Sequence, residues 1–170
     1  MNENRKLAEA QYFLSHLRSC AFDQNTFEFE LSAFLSAARS VLQYACKEAI
    51  TKAGGQAWYD AHMTATPEIK YFRDKRNANI HVKPVVPNPH IMVSVSTHTS
   101  LSLTARDPDG NVIEERNVSS SVAQSAPASV SYHFSDWSGS DDVETLCYRY
   151  FLILETIVKD GQAKGFLSKP

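Results

Sequence analysis

Apolar residues near the start of the chain recur at alternating steps of three and four, at Leu7, Ala10, Leu14, Leu17 and Ala21. That spacing draws one face of a helix, predicted from about Asn4 to Ala21. Cap-type side chains follow from Asp23 to Thr26, with Glu28 three positions beyond Asn25, and a second helical stripe runs through Phe27, Leu31, Phe34, Ala38, Val41 and Ala45. It stops at Gly54-Gly55. Gln56 to Thr64 carries Trp58, Tyr59 and Met63 and predicts a short helix that buries them. Thr66-Pro67 opens the next, because proline at the first helical position sacrifices no hydrogen bond; this helix is predicted to end near Val82, ahead of Pro84.

Between Pro84 and Ser140 the helical period gives way to alternation, and Pro, Ser, Thr and Val dominate. Ile91 to Thr97 and Leu101 to Arg106 read as strands, and Asp107-Pro108-Asp109-Gly110 is turn chemistry leading into Asn111 to Arg116, which makes a hairpin. A third strand is expected over Ser129 to Phe134, and Val118 to Ala128, rich in Ser and Ala, reads as a mobile connector. The helical period returns at Asp141 or Asp142 and runs through Val143, Leu146, Tyr150, Leu154 and Ile157 to about Gly161. The expected fold is therefore mainly α: an up-and-down helical bundle in one domain, residues 1–170, with a β-rich insertion (a hairpin or small antiparallel sheet) over residues 85–139, before the last long helix. Trp58, Tyr59, Trp137, Tyr148, Tyr150 and Phe151 are expected to fill the core or an interface.

Seventeen basic residues against nineteen acidic ones leave no global field to attract nucleic acid or a membrane, so an anionic partner would need a local patch. Cys20, Cys46 and Cys147 are odd in number, widely spaced and set among apolar residues, as expected of reduced thiols in a cytoplasmic protein. Neither a signal peptide nor a membrane anchor is visible. The chain holds no HExxH, paired CxxC, Walker-type loop, GxSxG or GxGxxG, and no two of its six histidines stand at i, i+4. No metal or cofactor is expected.

The segment Pro67 to Lys83, PEIKYFRDKRNANIHVK, gathers Lys70, Arg73, Lys75, Arg76, His81 and Lys83 against only Glu68 and Asp74. At about 100° per residue, Arg73, Asn77 and His81 form one ridge, and Ile69, Phe72, Arg76 and Ile80 the next. Arg76 thus emerges beside the apolar stripe, with His81 roughly a third of a turn away. A second copy of the helix facing the first would bring two Arg, two Asn and two His into one cleft, so a homodimer is expected.

The run Arg76-Asn77-Ala78-Asn79-Ile80-His81 resembles the motif of HEPN domains, an Arg commonly followed by Asn and then, four to six positions on, a His. The context is similar too: two long amphipathic helices before a Pro-led helix that carries the motif, and a long helix to close. The likeness covers Asn4 to Lys83 and Asp141 to Gly161 and omits the insertion. It implies a dimeric, metal-independent endoribonuclease of the toxin or defence type, with RNA as substrate and an antitoxin or other protein as possible partner. It further implies that His81 moves a proton to or from the ribose 2′-hydroxyl or the leaving oxygen, that Arg76 holds the phosphate by paired hydrogen bonds, and that Asn77 orients substrate or His81. Lys70, Arg73 and Lys83 would guide the RNA backbone. One variant of the family carries a Tyr two residues after the His, the target of a partner nucleotidyltransferase; here that position is Lys83, a departure from the pattern.

Three alternatives stand beside this. Arg76 pairs with Asp74, Glu68 or a neighbouring carboxylate while His81 merely favours its helix end; the domain is a non-catalytic HEPN-like binding or interaction module; or the insertion carries the function by strand addition to a partner.

Overall fold

A computed structural model of the chain describes residues 2–93, 99–120 and 128–169. The elements in chain order are α1 (Asn2–Ser19), α2 (Gln24–Ala49), α3 (Gly55–Ala65), α4 (Pro67–His81), β1 (Asn88–Met92), β2 (Thr99–Arg106), β3 (Val112–Ser120), β4 (Ser129–His133) and α5 (Val143–Ala163). The chain is mainly helical with a small strand region, in two compact units: 1–90 with 130–170, and 91–129.

In the helical unit the core is built on α2 and α5, whose buried stripes include Leu31, Phe34, Leu35, Val41 and Leu42 on the first and Leu146, Tyr150, Leu154 and Ile157 on the second. Each such side chain removed from water contributes about 1.5–3 kcal/mol before entropy is counted. Both helices begin on an aspartate: Asp23 Oδ1 accepts from Thr26 N at 3.2 Å and Asp142 Oδ1 from Thr145 N at 2.7 Å, satisfying amides that no helical carbonyl reaches. The α2–α3 turn depends on two glycines. Gly54 has φ +80°, and a Cβ on Gly55 would collide with the Ala49 carbonyl. Helix α4 joins the core through Ile69 and Phe72, the latter stacked on Tyr150 at a ring separation of 4.4 Å and an interplanar angle of 3°. Its stripe does not last, for Ile80, one turn past Arg76, is 47% exposed.

Several boundaries differ from expectation. Helix α5 runs two residues past Gly161, to Ala163, and Gly161 lies buried in its last turn against Trp58 and Leu167, where it serves close packing. The segments 84–90 and 130–140, expected as insertion, belong to the helical unit. Their aromatics explain why: Tyr132 stacks on Phe27 at 3.9 Å and donates its hydroxyl to the Ala21 carbonyl at 3.0 Å, and Phe134 is buried against Tyr71 and Phe72. Strand β4 pairs with β1. The strand expected over Ile91 to Thr97 instead begins at Asn88, and residues 94–97 lie outside those described. Tyr148, expected in the core or at an interface, is 55% exposed, so α5 turns it away from the core.

In the other unit, β2 and β3 form the expected antiparallel hairpin, with Leu103 opposite Arg116 and Gly110 at φ +87° in the turn. Val118 to Ser120, expected as connector, extend β3 because they continue the register opposite Thr99 to Leu101; residues 121–127 lie outside the described segments. Cys20, Cys46 and Cys147 form no disulfide. Among the described residues no helix is long and apolar enough to cross a membrane.

Candidate functional site

Helix α4 carries every residue of the RNANIH segment. Pro67 starts it, and it ends where Val82 N and Lys83 N both reach back to the Ala78 carbonyl at 3.0 Å. Lys70, Arg73, Asn77 and His81 are all exposed and share one face at the helical spacing. Arg76 is half-buried on a different face, and five residues of helix separate it from His81 by about 7.5 Å of rise and 140° of rotation. A single chain therefore assembles the Lys, Asn and His but holds the Arg apart from them.

The salt-bridge explanation for Arg76 is not realised among the described residues. Asp74 pairs with Arg73 at 3.3 Å, and Glu68 pairs with Arg149 at 3.6 Å. Arg76 has one long contact, from Nη1 to Asn77 Oδ1 at 3.4 Å, while its Nε is buried with no acceptor. A guanidinium nitrogen left so costs free energy unless something else satisfies it. Neither Lys70, His81 nor Lys83 has a side-chain hydrogen bond or ion pair among the described residues. The second asparagine of the motif is a structural anchor. Asn79 Nδ2 donates to Ser32 Oγ on α2 at 2.7 Å, and its Oδ1 accepts from Val85 N at 3.0 Å, so one amide fixes both the helix and the chain leaving it.

Beside α4 lies a cavity of about 540 Å³ whose lining includes Tyr71, Asp74, Lys75, Lys83, Val85 and Asp136. Asp136 Oδ1 receives Lys75 Nζ at 2.6 Å and the Tyr71 hydroxyl at 3.0 Å. Partial burial disfavours the charged Asp136, but these two donors outweigh it and hold the carboxyl below its ordinary value. Burial first, and then the bond to Asp136, push the Tyr71 phenol upward, so it stays a donor. Lys75 also sits over the Phe134 ring at 4.6 Å, a cation held against an aromatic face.

Two polar clusters were not foreseen, and in each only the helical half is visible as sequence. Tyr71 and Lys75 stand at i, i+4, but their partner Asp136 follows 65 residues after Tyr71. Trp58 and His62 stand likewise at i, i+4, and both reach Asp160 Oδ2, at 2.7 and 3.0 Å, about a hundred residues away. A second cavity, about 290 Å³ and lined by Ile69, Leu152 and Ile157 among others, contains none of the predicted site residues. Among the described residues, no group of three or more His, Cys, Asp or Glu is arranged to hold a metal ion. Compared with known proteins, the chain matches no family model, and no curated sequence or solved structure is significantly similar to it.

Proposed function

We propose that the protein is a dimeric endoribonuclease of HEPN type that needs no metal ion, with Arg76, Asn77 and His81 as its catalytic residues and Lys70, Arg73 and Lys83 as backbone contacts. The observation that carries the reading is the lack of any carboxylate partner for Arg76, His81, Lys70 and Lys83 among the described residues, although α4 carries two acids of its own, Asp74 pairing with Arg73 on the same helix and Glu68 with Arg149. A cationic helix face kept largely free of internal ion pairs is available to a phosphodiester. In the reaction, one His81 takes the proton of the ribose 2′-hydroxyl as its oxygen bonds to phosphorus. The bond from phosphorus to the 5′-oxygen breaks, and the His81 of the second copy gives that oxygen its proton. The products are a 2′,3′-cyclic phosphate and a free 5′-hydroxyl. Arg76 offsets the charge that grows on the phosphorane oxygens.

One feature favours a second reading, a non-catalytic nucleic-acid-binding or interaction module. Arg76 and His81 diverge by about 140° on one helix, so catalysis requires the Arg of a second copy. Incubating the protein in EDTA with structured and unstructured RNA, beside Arg76→Ala and His81→Ala, tests both readings. Cleavage by the wild type alone, with cyclic phosphate ends, is the expected result. RNA left intact, or cut equally by all three proteins, rejects the enzyme, and RNA bound but uncut selects the module. A toxin or defence role and an antitoxin partner belong to the same proposal and follow only if cleavage is found.

A further inference from the structure

The cavity beside α4 has a polarity that the proposed phosphodiester contacts leave unused. Both donors on Asp136, the Lys75 ammonium and the Tyr71 hydroxyl, act on the same oxygen, Oδ1. Oδ2 takes no hydrogen bond from another described residue, and the side chain is 59% exposed. The carboxylate is thus anchored through one oxygen and offers the other as an acceptor. Nearby lining is apolar, from Ala78, Pro84, Val85 and Val86. Asp74 is taken up by Arg73, which leaves Lys83 as the cavity's cation with no ion pair among the described residues. Asp74, Ala78 and His81 follow one another at i, i+4 and i+7, so His81 continues the helical wall on which the cavity opens. The volume, about 540 Å³, suits a small molecule the size of a nucleotide.

We propose that this cavity seats the base of a bound nucleotide and selects bases that carry an exocyclic amino group, Asp136 Oδ2 accepting from that amine and Lys83 meeting the adjoining phosphate. The proposal rests on the ribonuclease reading for placing the nucleotide within RNA, and it sets the ribose at the rim beside His81. An ionised carboxylate only accepts, so it favours the amino edges of cytosine and adenine, and the 2-amino group of guanine likewise. Uracil and hypoxanthine place a carbonyl oxygen where the amine would be, and a carboxylate repels it.

The test is calorimetric titration of the full chain with the 3′-monophosphates of cytidine, adenosine, uridine and inosine. Cytidine and adenosine are expected to bind at least about tenfold more tightly than uridine and inosine respectively, as one base-edge hydrogen bond of this kind provides. In Asp136→Asn, Lys75 and Tyr71 retain the amide oxygen and the amino group turns to the cavity, so the preference reverses toward uridine and inosine. Lys83→Ala weakens all four alike, and Ala78→Phe, which fills the cavity, abolishes binding of all four. No saturable binding, equal affinities in the wild type, or a preference unchanged in folded Asp136→Asn overturns the proposal. If Asp136→Asn does not fold, wild-type selectivity together with loss of binding in Ala78→Phe decides it. The two readings fail separately: amino-base selectivity without RNA cleavage removes the enzyme and keeps the nucleotide site, and cleavage without selectivity does the reverse.

Discussion

Replacing Asp160 by Asn separates the charge of one carboxylate from its shape, because the amide imitates the protonated acid at every pH. Asp160 sits near the end of α5 and its Oδ2 gathers three donors: the indole of Trp58 at 2.7 Å and His62 at 3.0 Å, both from α3, and Lys164 at 3.0 Å. The Trp58 bond is the largest reason that its pKa falls from 3.8 to about 2; partial burial opposes the shift, and His62 and Lys164 add to it. Nearly two pKa units at about 1.36 kcal/mol each set an upper bound of roughly 2.5 kcal/mol. About a quarter of the side chain remains in contact with water, which screens the interaction, so we expect about 1–2 kcal/mol. The pKa is depressed in the folded state. The stabilisation is therefore fully present above the unfolded value of 3.8 and is lost as the pH falls through about 2. Urea unfolding of wild type and Asp160→Asn, followed by circular dichroism at intervals from pH 5 to pH 2, isolates this one group because the other carboxylates titrate in both proteins. The stability gap should shrink steadily as the pH falls below 4. A gap that stays constant down to pH 2, or widens there, refutes the assignment of charge-assisted bonds to Asp160.

Gly161→Ala should destabilise the fold by a net amount of about 1–2 kcal/mol in thermal or urea unfolding: its Cβ would stand 2.7 Å from Leu167 and 2.8 Å from Trp58, and the overpacking outweighs the roughly 1 kcal/mol that alanine contributes to a helix. A stabilised variant would contradict the packing described for α5. The two asparagines of RNANIH should part company in the same assay. Asn79→Ala is expected to cost about 1–3 kcal/mol through the orphaned Val85 amide and the lost tie to Ser32, while Asn77→Ala stays within about 0.5 kcal/mol. Equal losses would place the anchor elsewhere. Asp142→Ala removes the acceptor for Thr145 N at the start of α5 and should cost about 1 kcal/mol, recovered in large part by Asp142→Ser and not by Asp142→Leu.

The helices were legible because each buries a stripe that repeats at the helical period, and a stripe is a local property of sequence. Leu31, Phe34, Val41 and Ala45 on α2, and Leu146, Tyr150, Leu154 and Ile157 on α5, were all expected inside and are all buried. The errors arise where burial is decided by residues far away. Gly161 reads as a helix end and lies within two residues of it, yet it is contact with Trp58 and the returning Leu167 that leaves no room for a side chain there. Tyr132 and Phe134 lie in a stretch that reads as β-rich insertion, and only their contacts with Phe27, Tyr71 and Phe72 tie it to the helical unit.

For the candidate site the same division has a sharper consequence. Spacing along α4 fixes which side chains share a face, and it correctly separates Arg76 from Asn77 and His81 by rotation alone. It says nothing of what faces them. Whether Arg76 met Asp74, Glu68 or no acid at all depended on where Arg73 and Arg149 reached, and both took the available carboxylates. Asp136 reaches its donors only because the segment after β4 folds back on α4. The motif thus names the groups that a reaction would use, while their freedom to react comes from ion pairs made by other residues. An Arg turned about 140° from its His still needs a partner that no single copy of α4 provides. Dilution is accordingly the most direct probe of the catalytic proposal. If the enzyme works only as a dimer, specific activity must fall as the protein concentration drops below the dissociation constant, and adding excess His81→Ala to the wild type must lower activity further, because a mixed dimer holds only one of the two His81 side chains that the reaction uses.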